Sequence, residues 1–287
     1  MERPYQKICF DQYPSFRLHH TAGNRAGEAN PAHLHQDSTL ILTYFKQGSG
    51  NIKIEGRRYD IHPGDLILLN PGEMHCCTVN NDQYHERIAL YIEESILAPF
   101  SCDPAPFFAA FYQRKPGCGN LIPGNTVSAH GIDRLLEEIL SLCQRPTAVS
   151  PTLAICRIVE LLNRLNTATA PTQPLENVPT AVHPTVQKAM QYLNAHYDEP
   201  LSLDEVGNAC YVSKHHLCRL FKECVGTTPW SYVIFRRIAA FHRLVQEEHL
   251  TLEQACYRVG FNNYSNFYRL YKKHTGNVPA ELKKVDK

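Results

Sequence analysis

No two of the 11 cysteines stand in a CxxC arrangement. They are therefore expected as small core residues in a reducing compartment. No apolar run approaches the roughly 20 residues that span a bilayer, and no apolar h-region follows Met1. These absences exclude a helical membrane anchor and a secretory leader, and the expected protein is soluble, unprocessed and cytoplasmic. A strong overall charge is also missing, because the formal net charge is +1. That balance hides an asymmetry: from Pro184 onward there are 14 Lys+Arg against 10 Asp+Glu, whereas the first 183 residues hold 15 against 18. A basic end joined to an acidic one fits a nucleic-acid-binding domain coupled to something else. At 287 residues the chain has room for two domains, each with its own core.

What is present is a helical motif written twice between Leu201 and Pro279. Leu217, Arg219, Leu220 and Lys222 match Phe267, Arg269, Leu270 and Lys272, and Gly226 and Pro229 match Gly276 and Pro279, at a constant offset of 50 (267 − 217, 279 − 229). Upstream, Leu201, Leu203 and Val206 match Leu250, Leu252 and Ala255 at an offset of 49 (252 − 203), so the turn of the second copy holds one extra residue. Two copies are too few for a solenoid or propeller.

Each copy reads as helix, turn, helix. In the first, Ser202 is placed to cap a helix carrying Val206, Gly207 and Cys210 inward, and Gly207 lets a second helix approach. Tyr211 and Val212 turn the chain, and Ser213 caps a helix burying Leu217, Leu220 and Phe221. In the second, Thr251 caps, Ala255 and Val259 face inward, Gly260-Phe261-Asn262 turns, and Asn263 caps a helix burying Phe267, Leu270 and Tyr271. Both outer faces present an arginine at the same helical step, as reading base edges in a major groove requires.

With these residues in hand, the chain resembles the AraC/XylS family of transcription regulators, whose C-terminal domain carries two helix-turn-helices. Gly260-Phe261, Ser265, Phe267, Lys272, Gly276 and Pro279 largely reproduce the signature that closes the second one. Departures are Gly207 and Cys256 where alanine is usual, Phe241 likewise, and Lys283 in place of the usual final arginine. The resemblance implies a homodimer and contact with RNA polymerase. It also assigns His215, Cys218 and Arg219 in the first reading helix, and Tyr264, Ser265, Tyr268 and Arg269 in the second, to the bases. Lys214, Lys222, Arg237, Lys272 and Lys273 suit phosphates, which supply affinity without sequence information.

The first half is punctuated differently. Short β-like runs, Thr39–Phe45, Gly50–Ile54, Arg58–Ile61, Asp65–Leu69, Cys76–Val79 and Arg87–Ile92, are separated by Glu55-Gly56, Pro63-Gly64 and Pro71-Gly72. Looser alternation over residues 5–20 predicts one or two more strands. Such spacing indicates a sandwich or small barrel. His33-Leu34-His35, Pro63-Gly64-Asp65 and Pro71-Gly72-Glu73-Met74-His75 are similar to the two motifs of the cupin jelly roll, the effector-binding domain of many AraC-type regulators. Asn70 stands where a proline is common. No acid falls where the first cupin motif supplies one, since Thr39, Leu40 and Ile41 fill that region.

His33, His35 and His75 admit two readings. As a metal set they are three nitrogens without a carboxylate, suited to zinc. As the favoured alternative they line or rim, with Tyr44, the pocket of a small-molecule effector, or are simply hydrogen-bonded at the barrel mouth, and no cofactor is expected. Arg57 and Arg58 stand near the same hairpin. Cys76 and Cys77 follow His75 on a strand, where adjacent side chains point to opposite faces, so only one joins it. Packing is their expected role, and Cys218 is read as a neutral or weakly base-contacting position.

Beyond the barrel, Pro104–Tyr112 is expected to form a helical turn. Ile132, Leu135, Leu136, Ile139 and Leu142 share one helical stripe, and Ser150-Pro151 opens a helix with Leu153, Ile155, Ile158, Val159, Leu161, Leu162 and Leu165. The second helix is apolar around more than one face, which suits a dimer contact. Prolines 171, 174, 179 and 184 mark an extended linker. The expected layout is therefore α+β and multi-domain: a cupin-like jelly-roll barrel over 1–127, a helical cover or dimerisation segment over 128–166, a linker over 167–183, and an all-α domain with two helix-turn-helices over 184–287. Pro229 to about Glu247 forms the connector between the two. The function expected is a sequence-specific regulator that binds double-stranded DNA and answers to a small molecule. Its alternatives are a metal-dependent cupin enzyme with a helical appendage, or a metal- or redox-responsive regulator.

Overall fold

The computed structural model describes residues 6–13, 15–24, 39–79, 84–170, 182–246, 248–275 and 278–284. The chain divides into two compact units, the first reaching Thr180 and the second running from Ala181 onward.

The N-terminal unit holds β1 (Gln6–Phe10), β2 (Phe16–Asn24), β3 (Leu40–Gln47), β4 (Gly50–Ile54), β5 (Arg57–Ile61), β6 (Leu66–Leu69), β7 (His75–Val79), β8 (Tyr84–Ile92) and β9 (Leu121–Ile122). Its helices are α1 (Ala109–Tyr112), α2 (Gly124–Ala129), α3 (Ile132–Gln144) and α4 (Ser150–Ala168). One antiparallel sheet has the order β1-β2-β8-β3-β6-β9, the other β5-β4-β7. Period-two alternation makes the larger sheet a middle layer. From β3, Leu40, Leu42 and Tyr44 pack with Ile139, Ile158 and Leu162 of the helices, whereas Ile41 and Phe45 pack with Ile52, Ile61 and Cys77 of the smaller sheet. Burial on both faces explains why residues 39–45 read as an almost unbroken apolar run. Glu55 and Gly56 both have positive φ (47° and 77°), the two-residue turn that joins twisted antiparallel strands.

Sequence reading did not anticipate β9 and α2, which the second sheet motif holds in place. Asp65 accepts from Gly124 N (2.9 Å) and from His62 N (2.8 Å). Glu73 and Arg114 form a buried ion pair (2.6 Å), and Glu73 also accepts from the backbone N–H of Asn70 and Gly117 and from Asn120 Nδ2. Asn70 joins this network by accepting from Arg114 (3.0 Å) and donating to Phe111 O (2.9 Å), a role that proline could not fill. The segment expected as a helical turn at Pro104–Tyr112 is helical only over α1, and α4 continues to Ala168.

The C-terminal unit is helical: α5 (Pro184–Ala195), α6 (Leu203–Ala209), α7 (Lys214–Val225), α8 (Pro229–Gln246), α9 (Leu252–Arg258), α10 (Tyr264–Thr275), and a closing 3-10 turn over Pro279–Lys284. The repeat is exact in its boundaries. Helix α9 follows α6 at an offset of 49 at both ends (252 − 203, 258 − 209), and α10 follows α7 at 50 (264 − 214, 275 − 225). Capping boxes start α6 (Ser202 with Glu205) and α9 (Thr251 with Gln254). Ser213 accepts from His216 N, and Asn263 from Asn266 N. Tyr211 (φ 59°) and Gly260 (φ 89°) hold the matching left-handed turn position, so the extra residue of the second copy lies between Gly260 and Asn263. Helix α8 packs on both copies. Tyr232 meets Phe221 edge-on with ring centres 5.5 Å apart, and Phe241 meets Phe267 at 4.5 Å.

Candidate nucleic-acid interface and barrel cleft

On α7 the buried residues are Leu217, Phe221 and Val225, and on α10 Phe267 and Tyr271. Helical spacing then leaves Lys214, His215, His216, Arg219 and Lys222 exposed on one, and Ser265, Asn266, Tyr268, Arg269, Lys272 and Lys273 on the other. Cys218 and Tyr264 are half-buried, and the Tyr264 ring rests 5.7 Å from Phe267. Each arginine is steadied by the residue one turn earlier: Arg219 Nη2 lies 3.4 Å from His216 Nδ1, and Arg269 Nη2 donates to Asn266 Oδ1 (3.0 Å). His216 and Asn266 were overlooked in the sequence. Their signal was the same offset of 50 (266 − 216) that matches the arginines. Lys214 is paired with Asp204 of α6 (2.9 Å).

Arg237 corrects an expectation. It is 5% exposed, donates from Nε to Tyr197 O (2.5 Å) and from Nη2 to Glu199 O (2.7 Å), and lies 5.3 Å over the Phe261 ring. Burial is the largest influence on the guanidinium and pushes its pKa down, with Asp198 opposing. Buried, with Nε and Nη2 tying α8 to the loop after α5, it is a structural arginine rather than a phosphate ligand.

His33 and His35 lie outside the described residues, so the metal set formed with His75 has only its third member in view. His75 is buried, with Nδ1 2.9 Å from Glu73 O, and shares its strand face with Cys77, which packs between the sheets. Tyr44 belongs elsewhere: it sits in the core between the larger sheet and α3 and α4, on the face opposite Phe45, and burial pushes its phenol up. It is therefore corrected from pocket residue to core residue, because alternation on β3 sends even-numbered side chains to the helices. Burial likewise pushes up the Cys76 thiol, which disfavours the reactive thiolate. Another set with metal-ligand chemistry is Cys9, Asp11 and His19, whose donor atoms all lie within 4.8 Å of one another, but the His19 ring is already hydrogen-bonded to Asp11 (2.9 Å).

A cleft does open on the sheet-facing side of the larger sheet. It is narrow and open to solvent, and is lined by Thr21, Phe45, Gln47, Val79, His85, Glu86 and Arg87. Gly48 (φ 91°) shapes it, since a Cβ there would fall 2.1 Å from the His85 ring. Sequence reading missed these residues. The available signal was the period-two placement of His85, Arg87, Ala89 and Tyr91 opposite the core residues Ile88, Leu90 and Ile92.

A double-sheet unit with a cleft, followed by a helical unit with two matched helix-turn-helices, defines a ligand-binding DNA-binding regulator. The comparisons agree. The AraC-like ligand binding domain matches residues 20–162, and a helix-turn-helix domain model matches residues 207–284. The chain is 26% identical over 255 residues to the arabinose operon regulatory protein of Escherichia coli, covering 85% of this chain and 80% of that one. It is 22% identical over 260 residues to "Uncharacterized HTH-type transcriptional regulator YdeC" of Bacillus subtilis, covering 89% and 87%. It is 31% identical over 86 residues to "Probable transcription factor PqrA" of Proteus vulgaris, covering 30% of this chain and 70% of that one. The chain belongs to the AraC family of DNA-binding transcription regulators and carries an N-terminal ligand-binding domain. The matches give no support to the reading as a cupin enzyme.

Proposed function

We propose that this regulator reads a bipartite DNA site with α7 and α10 in successive major grooves on one face of the duplex. Support comes from α8, whose 18 residues span roughly 27 Å at ~1.5 Å per residue, against ~34 Å for one turn of B-DNA. Modest bending of the DNA bridges the difference. His215, Cys218 and Arg219 on α7, and Tyr264, Ser265, Tyr268 and Arg269 on α10, face the bases, with Arg219 and Arg269 reading guanine. Lys222, Lys272 and Lys273 neutralise phosphates, joined by Lys214 once it exchanges Asp204 for DNA. The observation that carries this reading is the pair of exposed arginines at an offset of 50, each bonded to the side chain one turn before it. Arg219→Ala is expected to relax preference at one base pair and cost roughly 1–3 kcal/mol in DNA binding. In a selection from random DNA, an unchanged sequence logo would refute the assignment.

The same proposal includes the division into a barrel (1–127), a helical segment (128–166), a linker (167–183) and a DNA-binding domain (184–287). It also includes a homodimer formed through α4, contact with RNA polymerase, and a cytoplasmic location. For the dimer, the support is the apolar side chains left outside at the start of the helix, with Val149 59% and Leu153 47% exposed. For the location, it is that no described helix is long and apolar enough to cross a membrane. Occupation of the barrel shifts the balance between DNA-binding and idle arrangements by differential affinity for the two.

A further inference from the structure

We propose that the barrel cleft receives a small organic acid, its carboxylate bound by Arg87 and its apolar body resting on Phe45 and Val79. This rests on the barrel being the ligand-binding domain and adds the chemical class of what enters it.

Strand register carries the inference. Lys7 pairs with Thr21, Thr21 with Arg87, and Arg87 with Phe45, so β1, β2, β8 and β3 set these four side chains in one row on one face of the larger sheet. That face is turned away from the helices, because the flanking Ile88 and Leu90 of β8 point into the helix-side core. One row along, Ala89 stands between His19 and Thr43.

Charge decides the ligand's sign. Arg87 is half-buried and lines the cleft, yet its guanidinium makes no hydrogen bond or ion pair with any described residue. Glu86, the acid that lines the same cleft, is already held by Lys46 (3.0 Å) and His20 (3.2 Å). Asp11, beyond the cleft, is bound by His19 (2.9 Å). Lys7 and Arg17 add positive charge on the same face of the sheet, Arg17 lying 5.4 Å over the Tyr91 ring. A guanidinium fork with its donors unused matches a carboxylate bidentately and gains most where water is partly excluded. Phe45, 4% exposed and beside Arg87 on β3, and Val79 of the smaller sheet offer the apolar wall.

The test uses the full chain. Acetate, butanoate and benzoate are each compared with their neutral amides at matched ionic strength, by thermal shift and calorimetry, on wild type and Arg87→Gln, with DNA affinity measured on the same preparations. At least one acid is expected to raise Tm where its amide does not, and Arg87→Gln to weaken that acid about tenfold or more while unliganded Tm and DNA affinity stay as in wild type. Acids and amides protecting alike, no acid protecting, or Arg87→Gln binding the acid as well as wild type would each overturn the proposal. Should Arg87→Gln not fold, Arg87→Lys decides: weakened binding with preference for acid over amide supports the assignment, and undiminished affinity defeats it. If the amides bind, the ligand-binding domain stands and only the anion is lost. DNA binding lost in wild type, by contrast, would tell against the proposed function itself.

Discussion

Two basic residues show how residue type underdetermines role. Arg237 and Lys272 both read as phosphate ligands in the sequence, because a cation on an amphipathic helix carries no mark of which way it points. The fold separates them: Arg237 spends its donors on Tyr197 O and Glu199 O, while Lys272 is exposed on α10. Arg237→Ala removes both hydrogen bonds that hold the loop after α5 and is expected to cost about 1–3 kcal/mol of stability, seen as a lower Tm with the salt dependence of DNA binding intact. Lys272→Ala should leave Tm unchanged and reduce the slope of log K against log[salt] by about 1. The opposite pattern for either variant would reverse the two assignments. Tyr44 teaches the same lesson for a strand. Its parity was legible, but with apolar residues on both faces of β3 the sequence did not say which face met the helices and which the second sheet.

At the scale of elements, caps and turns were the most legible features, since each is fixed by neighbours three or four residues away. Ser202, Ser213, Thr251 and Asn263 all accept the hydrogen bonds that their positions predict. Gly207 goes further. A Cβ there would fall 2.7 Å from Val212 O, whereas the second copy, with one more residue in its turn, places the buried Cys256 at the matching position. Gly207→Ala is therefore expected to destabilise the C-terminal unit by about 1–3 kcal/mol through overpacking. Denaturant unfolding of the variant checks it, and wild-type stability would show that the turn yields without cost. The anchor of β9 was not legible, because Glu73 and Arg114 are 41 residues apart and nothing local pairs them. Glu73→Ala strands a buried guanidinium and should cost about 3–5 kcal/mol. A loss below 1 kcal/mol would mean that water replaces the carboxylate freely.

The whole molecule joins a sensor and a reader, and the two were legible to different degrees. Helical periodicity repeated at a fixed offset exposes itself in one dimension, so the C-terminal unit could be laid out helix by helix. The cleft could not, because its lining comes from β2, β3, β7 and β8, brought together only by sheet order. What the account claims at this scale is that one chain presents two reading helices at a spacing set by α8. Selection of binding sites from random duplex DNA by the full-length protein tests that most directly. The account predicts a logo with two elements whose centres lie about one helical turn, roughly 10 base pairs, apart, one element fading in Arg219→Ala and the other in Arg269→Ala. A single element lost in both variants, or no enrichment over random sequence, would contradict it.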